Sequence, residues 1–137
     1  MQLDKVIYTG KTHTTGGRDG STSSEDGRLS VQLSAPGSNG PGTNPEQLLA
    51  AGWSACFIGA MKKAGAALKV PLPADLSVDA EVDLGMTGDG YFLGARLNIS
   101  LPGIAPELGR QVIEMAHNTC PYSKALKGNI AIELKQI

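Results

Sequence analysis

The sequence predicts an α+β fold in which an antiparallel sheet packs on a long buried central helix. Three observations predict it. Several segments alternate apolar and polar residues with the two-residue period of half-buried strands; the clearest is 28–34, where Leu29, Val31 and Leu33 share one side. A run over 48–61 is apolar nearly all the way round, as a buried helix is, and a strong helix-start signal precedes it. Strands and helices do not alternate regularly, and no repeat, low-complexity tract or linker interrupts 1–137, so one domain is expected.

Taken in order, residues 3–9 mix β-branched and aromatic side chains and read as a strand. Residues 11–15 form a second short one, and the glycine cluster 16–20 breaks the chain into a turn or exposed loop. After the strand at 28–34, a loop rich in Gly, Pro, Ser and Asn runs over 36–43. Asn44 then suits an N-cap, Pro45 the first helical position and Glu46 the positive end of the dipole, while Gln47 completes a capping box. The helix extends to about Leu68, and Gly52, Gly59 and Gly65 inside it each cost about 1 kcal/mol relative to Ala. Close packing against another element is the expected compensation.

Beyond Pro71 and Pro73, residues 76–84 and 91–101 read as a hairpin joined over 85–90. Val78 and Val82 alternate with Asp79, Glu81 and Asp83, giving the hairpin one wet face. Pro106 opens a second helix that ends at Cys120, because Pro121 disfavours a helical residue before it. Residues 121–127 form a short last helix closed by Gly128, and 129–137 alternate again as a final strand.

Composition bounds the partners. The 137 residues are 41% hydrophobic and 18% charged, which is globular, and 4% aromatic, so aliphatic side chains must build the core. A net charge of -1 argues against nucleic acid or an anionic membrane, both of which call for a basic surface. The first residues lack the pattern of a signal peptide, and no apolar run approaches the roughly 20 residues that span a bilayer. Cytoplasmic location without membrane insertion is the expectation, and a disulfide there is more often transient and catalytic than structural.

The chemistry-bearing residues are few. Cys56 lies in the apolar stretch SACFIGAM and reads equally well as a buried, inert thiol. Cys120 sits between two helices, where the amides and dipole of the last helix can stabilise a thiolate. The two are the chain's only cysteines, 64 positions apart. A peroxidatic thiol needs a neighbour to trap its sulfenic acid, yet spacing leaves a structural disulfide or a chance pair open. Arg18 is a candidate cation to lower a thiol pKa, and Glu46 a carboxylate to orient it. From spacing alone they read as a solvated loop arginine and a dipole-compensating acid. On a continuous helix, Glu46 and Cys56 stand about 15 Å apart along the axis, so direct contact is not expected. His13 and His117 complete a Cys2His2 set on paper, but without the short spacings of metal sites.

Three segments carry a resemblance. TTGGRDG at 14–20, TNPEQLLAAGWSACFIGAM at 43–61 and NTCPYSKALKGN at 118–129 are similar to the motifs of the organic hydroperoxide resistance (Ohr) proteins, a branch of the OsmC/Ohr family. Trp53 stands where a tyrosine is expected. The resemblance implies an intertwined α+β homodimer with two active sites at its interface and a role in the oxidative stress response. It implies that Cys56 is the peroxidatic cysteine and Cys120 the resolving one, with Arg18 and Glu46 holding the thiolate and positioning the peroxide. The implied substrates are alkyl and fatty-acid hydroperoxides. The implied reductant is a lipoylated protein or another external dithiol, with no bound metal, haem or flavin. The apolar flank of Leu48, Leu49, Phe57, Ile58 and Met61 suits an alkyl tail. Two alternatives remain at this level: an OsmC-type peroxidase of broader preference, and a non-enzymatic protein that binds a small lipid.

Overall fold

A computed structural model describes residues Met1–Ile137, which divide into two compact units, Met1–Pro45 and Glu46–Ile137. The first unit is a three-stranded antiparallel sheet of β1 (Thr12–Thr15), β2 (Ser21–Ser24) and β3 (Ser30–Gln32) in that spatial order. The chain turns from β1 to β2 through a one-turn 3-10 helix, Gly17–Asp19, that carries Arg18 at its centre. Gly16 and Gly17 both have positive φ (72° and 58°), a conformation that glycine adopts without steric cost. Thr14 Oγ1 donates to Thr22 Oγ1 at 2.8 Å across the β1–β2 ladder. β2, with sequence STSS, shows none of the apolar alternation by which a strand is recognised. Residues 3–9, expected as a strand, pair with nothing in this chain, and Leu3, Val6, Ile7 and Tyr8 lie exposed.

The second unit holds the core. Its elements are α1 (Pro45–Leu68), β4 (Ser77–Thr87), β5 (Gly90–Ser100), α2 (Pro106–Thr119), α3 (Pro121–Leu126) and β6 (Ala131–Gln136). β4 and β5 form a long hairpin that takes in most of the expected loop and leaves only Gly88 and Asp89 as its turn. Gly88 has φ 62°, as the first central residue of a type II′ hairpin turn requires. On the inner side Val78, Ala80 and Val82 stand opposite Ile99, Leu97 and Ala95. On the outer side Arg96 forks between Glu81 (3.1 Å) and Asp83 (2.6 Å), and Asn98 also reaches Glu81.

β6 lies beside β5 but parallel to it, so this sheet is mixed and not the antiparallel one expected. Alternation fixes which face a strand buries, not its direction. The chain leaves β5, crosses the sheet through α2 and α3 and re-enters in the same sense, and parallel neighbours need such a crossover. One face of α1 (Trp53, Phe57, Ala60, Met61, Ala64) packs with Leu97 and Ile99 of the sheet and Val112, Ile113 and Ala116 of α2. Full burial of each large side chain here contributes about 1.5–3 kcal/mol.

The opposite side of α1 is open in this chain: Ala51, Ala55 and Gly59 are exposed, where the sequence predicts burial all round. The glycines divide accordingly. A methyl at Gly52 would meet the Tyr122 ring, and one at Gly65 would meet Leu72 and Val70 O, whereas one at Gly59 would meet nothing within 4 Å. No helix is long and apolar enough to cross a membrane.

Candidate active site

The two cysteines meet. α1 carries Cys56 at the edge of its buried face, partly exposed and packed against the core. Cys120 is held by the α2–α3 junction. The ring of Pro121 excludes the helical conformation from the residue before it, so Cys120 is extended (φ -61°, ψ 123°) and α2 stops at Thr119. Pro121 then starts α3 at the position where a missing N–H costs nothing. Both backbone groups of Cys120 are used: its N–H donates to Ala116 O at 2.8 Å and its carbonyl accepts from Lys124 N at 2.9 Å. Its side chain has no exposed surface. From this fixed backbone Cys120 Sγ meets Cys56 Sγ at 3.4 Å, within hydrogen-bonding distance for sulfur, and both residues are free thiols.

Burial pushes the Cys56 thiol above its ordinary pKa, and the hydrogen bond to Cys120 pushes it further. Against these act the backbone of Tyr122 and the positive charge of Lys63, which lower it. Two further contacts tie α3 to α1. Trp53 Nε1 donates to Ser123 Oγ at 3.0 Å, with both residues fully buried. The Tyr122 ring lies over Gly52, where a methyl would stand 3.0 Å from its Oη. Sequence reasoning assigned no role to Ser123 or Tyr122. The available signal was position: Ser123 follows Cys120 by one helical turn, as Cys56 follows Trp53.

The remaining candidates are placed as follows. Glu46 is buried in the first turn of α1. α1 runs as helix from Pro45, so the roughly 15 Å rise from Glu46 to Cys56 stands. Arg18 belongs to the first unit, on its 3-10 turn. Leu48, Leu49 and Ile58 are partly buried. Phe57 and Met61 have no exposed surface and are core residues, so they stand behind any substrate surface and not on it. His117 lies on α2, its Nδ1 buried without a hydrogen-bond partner, and burial, then Lys127, lowers its pKa. His13 lies on β1. No group of three or more His, Cys, Asp or Glu side chains is arranged to hold a metal ion.

A pair of thiols in contact can do one thing readily. If one sulfur is oxidised, the other displaces its leaving group and a disulfide forms.

Comparison with known proteins agrees in fold and length. Residues 35–135 match the family model for OsmC-like proteins. The chain is 44% identical over 135 residues to an organic hydroperoxide resistance protein of Xanthomonas axonopodis pv. citri, covering 96% of this chain and 95% of the relative. Among solved structures, an organic hydroperoxide resistance protein from Legionella pneumophila superposes with TM-score 0.89 at 36% identity, covering 96% of this chain and 98% of its own. The organic hydroperoxide resistance protein OhrB of Bacillus subtilis gives TM-score 0.87 at 30% identity, covering 96% and 100%.

Proposed function

The chain belongs to the OsmC/Ohr family, and from that premise we propose that it is a thiol peroxidase that reduces organic hydroperoxides. The observation that carries the proposal is the contact of Cys56 and Cys120 at 3.4 Å. Cys56, as thiolate, attacks the distal oxygen of the hydroperoxide. The O–O bond breaks, the alkoxide leaves and takes up a proton as alcohol, and Cys56 becomes a sulfenic acid. The Cys120 sulfur then displaces the sulfenic oxygen, which leaves as water, and the disulfide forms. An external dithiol, such as a lipoylated protein, restores both thiols by exchange and is itself oxidised to a disulfide.

The environment of Cys56 described above disfavours its thiolate, so the chemistry calls for a further cation. That role is assigned to Arg18, oriented by Glu46, as the resemblance implies. Leu48, Leu49 and Ile58 are assigned to the alkyl tail of the substrate, with Phe57 and Met61 as the rigid wall behind them. An apolar surface of this kind favours an alkyl hydroperoxide over hydrogen peroxide by about 1–3 kcal/mol for small tails. A homodimer is part of the proposal. The exposed apolar side chains at the hairpin tip (Leu84, Met86, Tyr91, Phe92) and along the first residues support it, since monomers rarely expose such patches.

The test is peroxide consumption by cysteine variants with cumene hydroperoxide and a dithiol. Cys56→Ser is expected to abolish consumption. Cys120→Ser is expected to allow one oxidation and block turnover through the disulfide. Full activity in Cys56→Ser ends the proposal, and equal rates on cumene hydroperoxide and hydrogen peroxide move the protein to a broader peroxide preference.

A further inference from the structure

One helical turn from the sulfur pair lies a second contact between the same two helices. Trp53 precedes Cys56 by three residues on α1, and Ser123 follows Cys120 by three on α3, so each pair shares a helix face. The pairing of 53 with 123 and of 56 with 120 makes the two segments antiparallel here. The Trp53–Ser123 bond is 3.0 Å long and shut off from water. An indole N–H is one donor with one direction, so the bond has little freedom of geometry.

That contact lies on the short helix that follows Cys120. α3 has six residues, far fewer than a helix needs to be stable by itself. Backbone bonds tie Cys120 to α2 and to α3, and the contacts that seat the first turn of α3 on α1 include the Tyr122 ring on Gly52 and the Trp53–Ser123 bond. Of these, the last is a polar contact between two fully buried side chains.

We infer that Trp53 and Ser123 are positioning residues for disulfide closure: their buried hydrogen bond holds Cys120 Sγ within reach of Cys56 Sγ and so sets how often the Cys56 sulfenic acid is trapped before it is oxidised again. The inference rests on the peroxidase reading above. The sulfenic acid has two fates. In one, the Cys120 sulfur forms the S–S bond while the sulfenic oxygen departs with the thiol proton as water. In the other, a second hydroperoxide transfers an oxygen atom, giving a Cys56 sulfinic acid and an alcohol, and that enzyme is lost. Neither Trp53 nor Ser123 exchanges an atom in either step; both act through Cys120.

The experiment uses the full chain with Trp53→Phe, Ser123→Ala and the double variant, none of which changes a cysteine. Each is mixed with cumene hydroperoxide, quenched, and read by mass spectrometry for loss of the Cys56 thiol, appearance of the disulfide, and the ratio of sulfinic acid to disulfide under peroxide excess. Loss of the Cys56 thiol is followed separately, so any change in the first oxidation, on which the Tyr122 backbone also acts, stays out of the ratio. Closure is expected to slow about 2- to 10-fold in each single variant, the worth of one buried neutral hydrogen bond, and the sulfinic-to-disulfide ratio to rise by the same factor. The double variant is expected to be no slower than the worse single one, because both remove the same bond. A purely structural role lowers the unfolding midpoint and leaves the ratio where it was. Ser123→Ala removes a single oxygen, so it keeps the test open if Trp53→Phe unfolds. Wild-type closure rates and ratios in folded Ser123→Ala overturn this inference alone, whereas wild-type protein that forms no disulfide with peroxide overturns the peroxidase reading with it.

Discussion

Oxidation to the Cys56–Cys120 disulfide should make the protein measurably more stable. The perturbation is one equivalent of cumene hydroperoxide, compared with the dithiol-reduced protein at the same protein concentration and pH 7. A cross-link between positions 64 apart removes chain entropy from the unfolded state worth about 4 kcal/mol. Native-state strain subtracts from that figure. The sulfurs lie 3.4 Å apart and on oxidation close to a bonding distance of about 2.05 Å. Guanidinium unfolding should therefore show the oxidised protein with a higher midpoint and a free-energy gain approaching this value. Cys56→Ser, treated identically, should show no gain. An oxidised wild type no more stable than the reduced one refutes the reasoning, since closure would then have to drag α3 off α1.

Five further outcomes are expected. Arg18→Ala should shift the pH profile of Cys56 alkylation by iodoacetamide to more alkaline pH, because burial and then Cys120 already hold this thiol above its ordinary value; coincident profiles exclude Arg18 from its activation. Cys120→Ala removes that second influence and should shift the same profile to lower pH, while an unchanged profile would mean that the 3.4 Å thiol contact has no electrostatic effect. Gly65→Ala places a methyl 2.8 Å from Leu72 Cγ and 3.0 Å from Val70 O, so overpacking of about 1–3 kcal/mol should outweigh the gain of about 1 kcal/mol in helix propensity. Gly59→Ala, with nothing within 4 Å, should gain that propensity in denaturant unfolding, and a loss would instead locate Gly59 against another chain. His117 is held neutral below its ordinary pKa, so the unfolded chain takes up a proton first as pH falls; stability should drop from about pH 6.5 downward, and His117→Gln should flatten that slope.

What the sequence made legible follows from which physical signals are local. The start of α1 at Pro45, the stop of α2 before Cys120 and the closing of α3 by Gly128 are dictated by neighbours one to three residues away, and all three appear where expected. The sense of β6 beside β5 depends on a crossover of some thirty residues, which no alternation pattern encodes. The apolar content of 3–9 is real, but a strand exists only where a partner offers a ladder, and this chain offers none. The site divides in the same way. Cys56 and Cys120 stand out as rare residues, whereas Ser123 is one of many serines, distinguished only once an indole is found 3.0 Å from its hydroxyl.

The geometry also sets the two halves of the proposed chemistry against each other. Rapid trapping calls for a second sulfur in contact with Cys56 and for little water around the pair. Those same conditions, a buried site and a neighbouring thiol, raise the Cys56 pKa and so reduce the thiolate that must attack the peroxide first. The backbone of Tyr122 and the charge of Lys63 offset this in part. Moving Cys120 away would relieve the conflict at the cost of the trap. Under the proposed function a separate cation relieves the conflict, so that activation and trapping are set by different residues. The resemblance implies that this cation is Arg18, which lies on the glycine-rich 3-10 turn. On this reasoning Arg18 variants should slow the first oxidation, while Trp53 and Ser123 variants should raise the sulfinic-to-disulfide ratio.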